Sequence, residues 1–176
     1  VKPYTYGIVA TKIPDPQKSK KIIRTEITRS RHYKRPMSIL TIKTRPHAAL
    51  KLNQIVIQDI QNKMAHHYTK NKMAQTIKQV LRRMDVVLDT QKENSLLILC
   101  PEVDEPGAIT LMSHVQNELE KKLGIQVMCS SATFPSDGIT FSALLDSANQ
   151  KFKGEQADET ESLAKQPAKS YLEVGR

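Results

Sequence analysis

The feature that most constrains the fold is a run of apolar residues in Ser95–Cys100, which Pro101 ends. A strand with no polar alternation has no side that faces solvent, so this run predicts a central strand of a sheet. The short run Val86–Leu88 precedes it, and the polar segment Gln91–Asn94 between the two suits a tight turn. We therefore expect a buried hairpin within the sheet.

A helix is predicted immediately before the hairpin. Ile77, Val80, Leu81 and Met84 are spaced at i, i+3, i+4 and i+7, which places them in one stripe of an α-helix. Asp85 ends this stripe. We expect the helix to occupy residues 74–84 and to stop where the hairpin begins.

The remaining sequence alternates between helical and strand patterns. Asp15, Pro16 and Gly124 suit helix caps, and Asn71 separates two neighbouring helices. The order α-β-α-α-β-β-α-β-α predicts an α/β (α+β) fold with one sheet and flanking helices. The predicted helices span residues 17–34, 46–72, 74–84, 108–123 and 140–152, and the predicted strands span residues 37–43, 86–88, 95–100 and 125–132.

The chain length of 176 residues suits one domain with flanking segments. We expect an N-terminal linker over residues 1–16, a domain over residues 17–152 and a polar linker or disordered tail over residues 153–176. The chain begins with Val, so we expect other domains on the same polypeptide. No apolar run reaches the roughly 20 residues of a membrane helix, and we expect a cytoplasmic location.

Two features of the composition limit the possible functions. Cys100 and Cys129 lie in strand-like runs and are expected to be buried, reduced thiols without a metal. The net charge is +9, and residues 1–90 contain 19 of the 27 Lys and Arg residues but five of the 18 Asp and Glu residues. This basic half predicts either an anionic partner, such as nucleotide phosphates, nucleic acid or an acidic membrane surface, or a solvated face.

The order of elements and one motif resemble the GGDEF (diguanylate cyclase) family. In that family a helix ends in Arg-x-x-Asp, five residues follow, and a hairpin carries the signature Gly-Gly-Asp/Glu-Glu-Phe. Arg82 and Asp85 match the first motif, and Val86–Thr90 are the five residues. The resemblance covers residues 17–152 and implies a nucleotidyl-cyclase-like central sheet with a central hairpin, flanked by helices. The signature position is occupied by Gln91, Lys92, Glu93, Asn94 and Ser95.

The resemblance also implies that catalysis is lost. Gln91 and Lys92 replace glycines that let the backbone approach guanine and phosphate, and Glu93 retains an acid at the third position. The metal-binding Asp-x-Asp of the family aligns with Thr41 and Lys43. A hydroxyl and an ammonium group cannot hold Mg²⁺ against a triphosphate, so we expect no cyclase activity, no bound metal and no cofactor.

In the GGDEF family the Arg-x-x-Asp motif also holds a regulatory cyclic di-GMP. The resemblance implies that Arg82 and Asp85 bind this ligand and that Arg83 adds positive charge nearby. Their i, i+3 spacing would place Arg82 and Asp85 on one side of a helix end. The alternative is a local salt bridge in which Asp85 closes the helix.

We therefore predict a non-catalytic, GGDEF-like regulatory domain of a larger bacterial protein that senses cyclic di-GMP. The resemblance connects such domains with exopolysaccharide, adhesion or motility. One alternative is a ligand-free docking or homodimerisation module of the same fold. Another is a basic nucleic-acid-binding domain, which the aromatic content of 5% disfavours because few rings are present for base stacking.

Overall fold

Antiparallel strands form the centre of the molecule. The computed structural model describes residues 13–45, 57–90 and 95–164. Side chains are described for residues 13–45, 68–90 and 95–152. Within these residues one sheet has the strand order β2-β3-β1-β4. The helices are α1 (Pro16–Tyr33), α2 (Ile57–Lys78), α3 (Glu105–Leu123) and α4 (Phe141–Ala164). The strands are β1 (Met37–Thr44), β2 (Val86–Asp89), β3 (Ser95–Pro101) and β4 (Val127–Phe134).

The predicted central strand is confirmed. Every residue of β3 is buried, and β3 pairs with β2 on one side and with β1 on the other. β1 in turn pairs with β4, so all neighbouring strands are antiparallel. The predicted α+β fold is therefore confirmed, and β2 and β3 pair as the predicted hairpin, with β2 at the edge of the described sheet. The turn residues Gln91–Asn94 lie outside the described part of the chain.

Two separate cores cover the two faces of the sheet. Alternate residues of β1 and β3 point to opposite faces, so that Leu40 and Ile98 join the core beneath α2 and α3. Ile39, Leu97 and Leu99 join the core beneath α1 and α4. The continuous apolar pattern of β3 follows from this arrangement, because neither of its faces meets water.

The ends of two helices are set by the residues that the sequence indicated. Asp15 caps α1 by accepting a hydrogen bond from the backbone N–H of Lys18 at 2.9 Å, and Pro16 occupies the first turn. Gly124 ends α3 in the left-handed conformation with φ 63°, which a residue without a Cβ adopts at little cost. Cys100 and Cys129 are both buried and free, as predicted.

Three predicted helix boundaries are wrong. α2 runs through Asn71 without a break and ends at Lys78, so the chain has one helix where two were predicted. Gln79–Asp85 forms turns in place of the predicted helical end. Val80 and Leu81 still pack against the core from these turns. Because they are apolar and follow Ile77 at i+3 and i+4, the sequence pattern is the same as that of a helix. The part of the predicted second helix at residues 46–56 lies outside the described residues.

α4 extends beyond its predicted end at Phe152 and reaches Ala164. Residues 153–162 contain one apolar side chain, that of Ala157, so hydrophobic spacing gave no signal there. Many of them are Glu, Lys, Gln and Ala, whose helix propensity is sufficient to continue a helix that is already started. None of the helices in the described residues is both long and apolar enough to cross a membrane.

The packing of α4 generates a stability prediction. Leu144 is fully buried against the sheet, so Leu144→Ala is expected to lower the free energy of unfolding by about 2–5 kcal/mol. Ile139 is 63% exposed, and Ile139→Ala is expected to change it by less than about 0.5 kcal/mol. Urea denaturation followed by circular dichroism measures both values. Equal effects of the two substitutions would contradict the assigned core.

Candidate functional site

A cavity of about 260 Å³ lies between the sheet and the two helices α1 and α4. We call it the Thr41 cavity, because Thr41 of β1 lines it. Its apolar walls come from α1, β2, β3 and α4 and consist of Ile23, Leu88, Leu97, Phe141 and Leu145. Nothing in the spacing of these apolar residues along the sequence distinguishes a cavity wall from a filled core position.

The register of β1 brings together three of the predicted site residues. Thr41 and Lys43 are two residues apart on β1, so they point to the same face of the sheet, and both line the cavity. Ser95, the last of the five signature positions, pairs directly with Lys43 across β1 and β3 and also lines the cavity. Gln91, Lys92, Glu93 and Asn94 lie outside the described residues.

The polar groups of the cavity differ in their partners. Thr41 is 2% exposed, and its Oγ1 is buried without a hydrogen-bond partner among the described residues. The Nζ of Lys43 lies 4.1 Å from the centroid of the Phe152 ring, a cation–π arrangement. Lys20 and Asn149 contribute further polar groups from α1 and α4. The cavity therefore combines an apolar body with hydroxyl and ammonium groups.

Asp89 supplies a carboxylate at the edge of the Thr41 cavity. It forms a salt bridge with Lys70 of α2, whose side chain is 11% exposed. This partner compensates the charge of Asp89. Among the described residues, no group of three or more His, Cys, Asp or Glu side chains is arranged to hold a metal ion.

Arg82 and Asp85 form a second polar cluster, and it lies away from the cavity. Arg82 Nη2 donates to Asp85 Oδ1 at 2.9 Å, and Arg82 Nε donates to Asp85 Oδ2 at 3.2 Å. The backbone N–H of Arg82 also donates to Asp85 Oδ2, at 2.9 Å. A further bond of 2.9 Å joins Arg82 Nη2 to the carbonyl oxygen of Pro101. The local salt bridge that the sequence left as an alternative is therefore present.

The surroundings of this pair correct its predicted geometry. Arg82 and Asp85 belong to a turn, closed by a bond of 3.0 Å from the N–H of Asp85 to the carbonyl of Arg82, and not to a helix end. The Asp85 side chain is 0% exposed, whereas that of Arg82 is 48% exposed. The hydrogen bond to Asp85 raises the pKa of the Arg82 guanidinium. Arg83 is exposed next to it.

The two clusters lie near opposite ends of β3. Ser95 begins this strand at the cavity, and Pro101 ends it beside Arg82. At roughly 3.4 Å per residue, the two ends are about 20 Å apart. The structure therefore brings Thr41, Lys43 and Ser95 together and keeps Arg82, Arg83 and Asp85 apart from them.

Cys100 lies beside the Arg82–Asp85 pair and was not predicted to interact with it. Burial raises the pKa of the Cys100 thiol, and the nearby Asp85 carboxylate raises it further, while Arg82 acts in the opposite direction. The thiol is consequently a neutral, inert core group at physiological pH.

Comparison with known proteins identifies the fold. No family model matches the sequence, and no curated protein matches it either. The GGDEF domain of YfiN (TpbB) from Pseudomonas aeruginosa matches with a TM-score of 0.63 and 14% identity, over 80% of this chain and 88% of that one. The active GGEEF domain of a diguanylate cyclase from Vibrio cholerae matches with a TM-score of 0.65 and 12% identity, over 83% and 93%.

A third match is a microbial GGDEF domain described in its interaction with cyclic di-GMP. Its TM-score is 0.58 and its identity 16%, over 82% of this chain and 92% of that one. Identities this low establish the fold and leave the activity open. The chain is a GGDEF-like domain in its fold, as the sequence predicted.

The Arg82–Asp85 pair generates a second stability prediction. Asp85→Asn removes the buried charge that orders Arg82, and we expect the free energy of unfolding to fall by about 1–3 kcal/mol. This is less than for a fully buried ion pair, because solvent screens the half-exposed Arg82. Asp104→Asn is the matched control, since Asp104 caps α3 and Asn is an equally good cap. Urea denaturation of both variants checks this, and an unaffected Asp85→Asn protein would contradict a structural role for the pair.

The raised pKa of Cys100 generates a pH prediction. The thiol of the unfolded chain ionises near its ordinary pKa of 9.0, whereas the folded thiol stays protonated. The unfolded state then binds fewer protons, so stability falls as the pH rises above about 9. Between pH 8 and pH 10 the wild type should lose about 1 kcal/mol more than Cys100→Ala. Parallel pH profiles of the two proteins would exclude this contribution.

Proposed function

We propose that this chain is a non-catalytic regulatory domain with the GGDEF fold. The observation that carries the proposal is the position of Thr41 and Lys43 on one face of β1, beside Ser95. In the resemblance to the GGDEF family, metal-binding aspartates stand at the positions of Thr41 and Lys43. Two-metal phosphoryl chemistry requires carboxylates that hold the ions against the triphosphate. A hydroxyl and an ammonium group supply neither charge nor ligands of that kind.

Electrostatics at Lys43 support the same proposal. Its ammonium group lies 4.1 Å from the Phe152 ring centroid, so a positive charge already occupies this part of β1. A divalent cation placed beside it would experience like-charge repulsion in a half-buried site. The domain would act on other domains of the same polypeptide, or on a second copy in a homodimer, and not on GTP. We place the larger protein in a bacterial cytoplasm, in the control of exopolysaccharide, adhesion or motility.

A second candidate function is the binding of cyclic di-GMP at Arg82 and Arg83. The Arg82 guanidinium is half-exposed, and its bonds to Asp85 and to the carbonyl of Pro101 fix its orientation. A fixed guanidinium loses little conformational entropy when it contacts a phosphate or a guanine edge. The Asp85 carboxylate is buried and already accepts bonds from Arg82, so in this hypothesis the arginines make the contacts.

The absence of catalysis is tested by incubating the purified chain with GTP and Mg²⁺ and by measuring cyclic di-GMP by chromatography. We expect no product above the background without protein, because no described residue on β1 offers a carboxylate for the metal. The active GGEEF domain from Vibrio cholerae, assayed in parallel, serves as the positive control. Turnover by this chain would contradict the proposal.

The second candidate is tested by calorimetric titration of cyclic di-GMP. We expect a Kd on the order of micromolar for the wild type and a loss of about tenfold or more for Arg83→Ala, which leaves the bonds of Arg82 in place. Arg24→Ala removes the same charge from an exposed position on α1 and should bind like the wild type. Absence of heat with the wild type would exclude this ligand and leave a docking module.

A further inference from the structure

The exposed side of α1 carries most of the excess positive charge of this protein. Residues 15–35 contain eight Lys and Arg residues and two Asp and Glu residues, which is +6 of the net +9 of the whole chain. Four of these cations are exposed, and we call them the α1 row: Lys20, Lys21, Arg24 and Arg31. At 3.6 residues per turn they fall within about 100° of the helix circumference and extend for about 16 Å along it. The four charges therefore face the same side of the molecule.

The acidic side chains near α1 pair with cations outside the α1 row. The Glu102 carboxylate lies 3.6 Å from Arg29 Nη2 and 2.5 Å from Arg35 Nη1. Among the side chains that the structure describes, none forms an ion pair with a member of the row. On the neighbouring helix α4, Asp146 is the exposed acid of residues 141–152. This side of the molecule therefore presents a positive potential to the solvent.

An exposed isoleucine lies at one end of the α1 row. Arg31 Nη2 donates a hydrogen bond to the carbonyl oxygen of Ile139, which precedes α4, so the two residues are adjacent. The side chain of Ile139 is 63% exposed. Tyr33, which is also exposed, is nine positions from Arg24 and therefore lies on the opposite side of the helix. The surface thus combines a row of cations with an aliphatic side chain.

An anionic lipid bilayer fits this combination better than a nucleic acid does. Its headgroups attract Lys and Arg, and the boundary between headgroups and acyl chains accepts an aliphatic side chain. A nucleic acid backbone would neutralise the cations as well, but it has no apolar layer for Ile139. Single strands are also held largely by stacking on aromatic rings, and the α1 row contains none. The cytoplasmic leaflet carries the anionic lipids, in the compartment proposed above.

We propose that the α1 row docks this domain on an anionic lipid membrane. The four cations lie against the lipid headgroups, and Ile139 enters the boundary between headgroups and acyl chains. Binding of this kind is peripheral and reversible, because its strength comes from a few charges and a small apolar area. It goes beyond the proposed regulatory function and is independent of it, and it would hold the domain beside the membrane while the domain acts.

Co-sedimentation of the purified chain with lipid vesicles tests the proposal. Each cation near an anionic membrane raises the affinity about fivefold, so four cations give an affinity on the order of 10³ M⁻¹. With vesicles of phosphatidylcholine and phosphatidylglycerol in equal amounts, we expect half of the chain to be bound at about 1 mM lipid in about 0.1 M NaCl. We expect no binding to phosphatidylcholine alone. Raising NaCl to about 0.5 M should release the chain, because salt screens exposed charges.

Three variants locate the binding surface. Lys21→Gln combined with Arg24→Gln should weaken vesicle binding at least tenfold. Lys72→Gln combined with Lys121→Gln is the matched control, since it removes the same charge from exposed positions on α2 and α3, which cover the other face of the sheet. We expect this control to stay within about threefold of the wild type, because its charges are screened from the membrane. Ile139→Ala should weaken vesicle binding at least threefold without a loss of stability.

Four results would overturn the proposal. They are no binding to the anionic vesicles, equal losses in the two double variants, unchanged binding of Ile139→Ala, and tighter binding to duplex DNA than to vesicles at equal phosphate concentration. The last result would assign the α1 row to nucleic acid. Arg24→Ala should lose vesicle affinity and still bind cyclic di-GMP in solution, which separates the two surfaces. Vesicle binding and GTP turnover are measured independently, so the failure of either proposal leaves the other standing.

Discussion

The register between β1 and β3 determines the position of every other part of this domain. The two strands pair from Met37 opposite Pro101 to Lys43 opposite Ser95. Their side chains alternate between two faces, and a slip by one residue would exchange the faces of an entire strand. Because both faces are apolar, both must be covered, and the chain supplies α2 and α3 for one and α1 and α4 for the other.

The same register explains why the candidate site is a cavity and not a filled core. Ile39, Thr41 and Lys43 point to the face under α1 and α4. Ile39 packs fully, whereas Thr41 and Lys43 place polar groups where an apolar residue would complete the packing. The buried Thr41 hydroxyl lowers stability locally, since it has no hydrogen-bond partner in the part of the chain that the structure describes.

A fold shared with diguanylate cyclases does not carry their activity with it. The matched structures share the fold with TM-scores of 0.58–0.65 at 12–16% identity, so the architecture tolerates exchange of most side chains. The Arg82–Asp85 pair illustrates the difference between a motif and a site. Its two residues stand at the spacing that the family uses for ligand binding, but here each is the principal partner of the other, and together they tie the turn before β2 to the end of β3.

The sequence by itself determined the central hairpin, the alternation of helices and strands, and the helix caps at Asp15 and Gly124. These depend on local spacing and on the conformational preferences of single residues. It did not determine the end of α2, because Val80 and Leu81 reach the same core from turns as they would from a helix. It likewise missed the end of α4, where propensity continues the helix without apolar residues to mark it.

Only the tertiary structure decided which polar residues meet. Thr41 and Ser95 are far apart in the chain. The β1–β3 register and the packing of α1 and α4 against the sheet make both residues line one cavity. The cavity itself has no sequence signal, because a wall residue such as Leu145 has the same helical spacing as a residue that is fully packed. Empty volume is a property of how the elements fit together, and periodicity along one element contains no information about that fit.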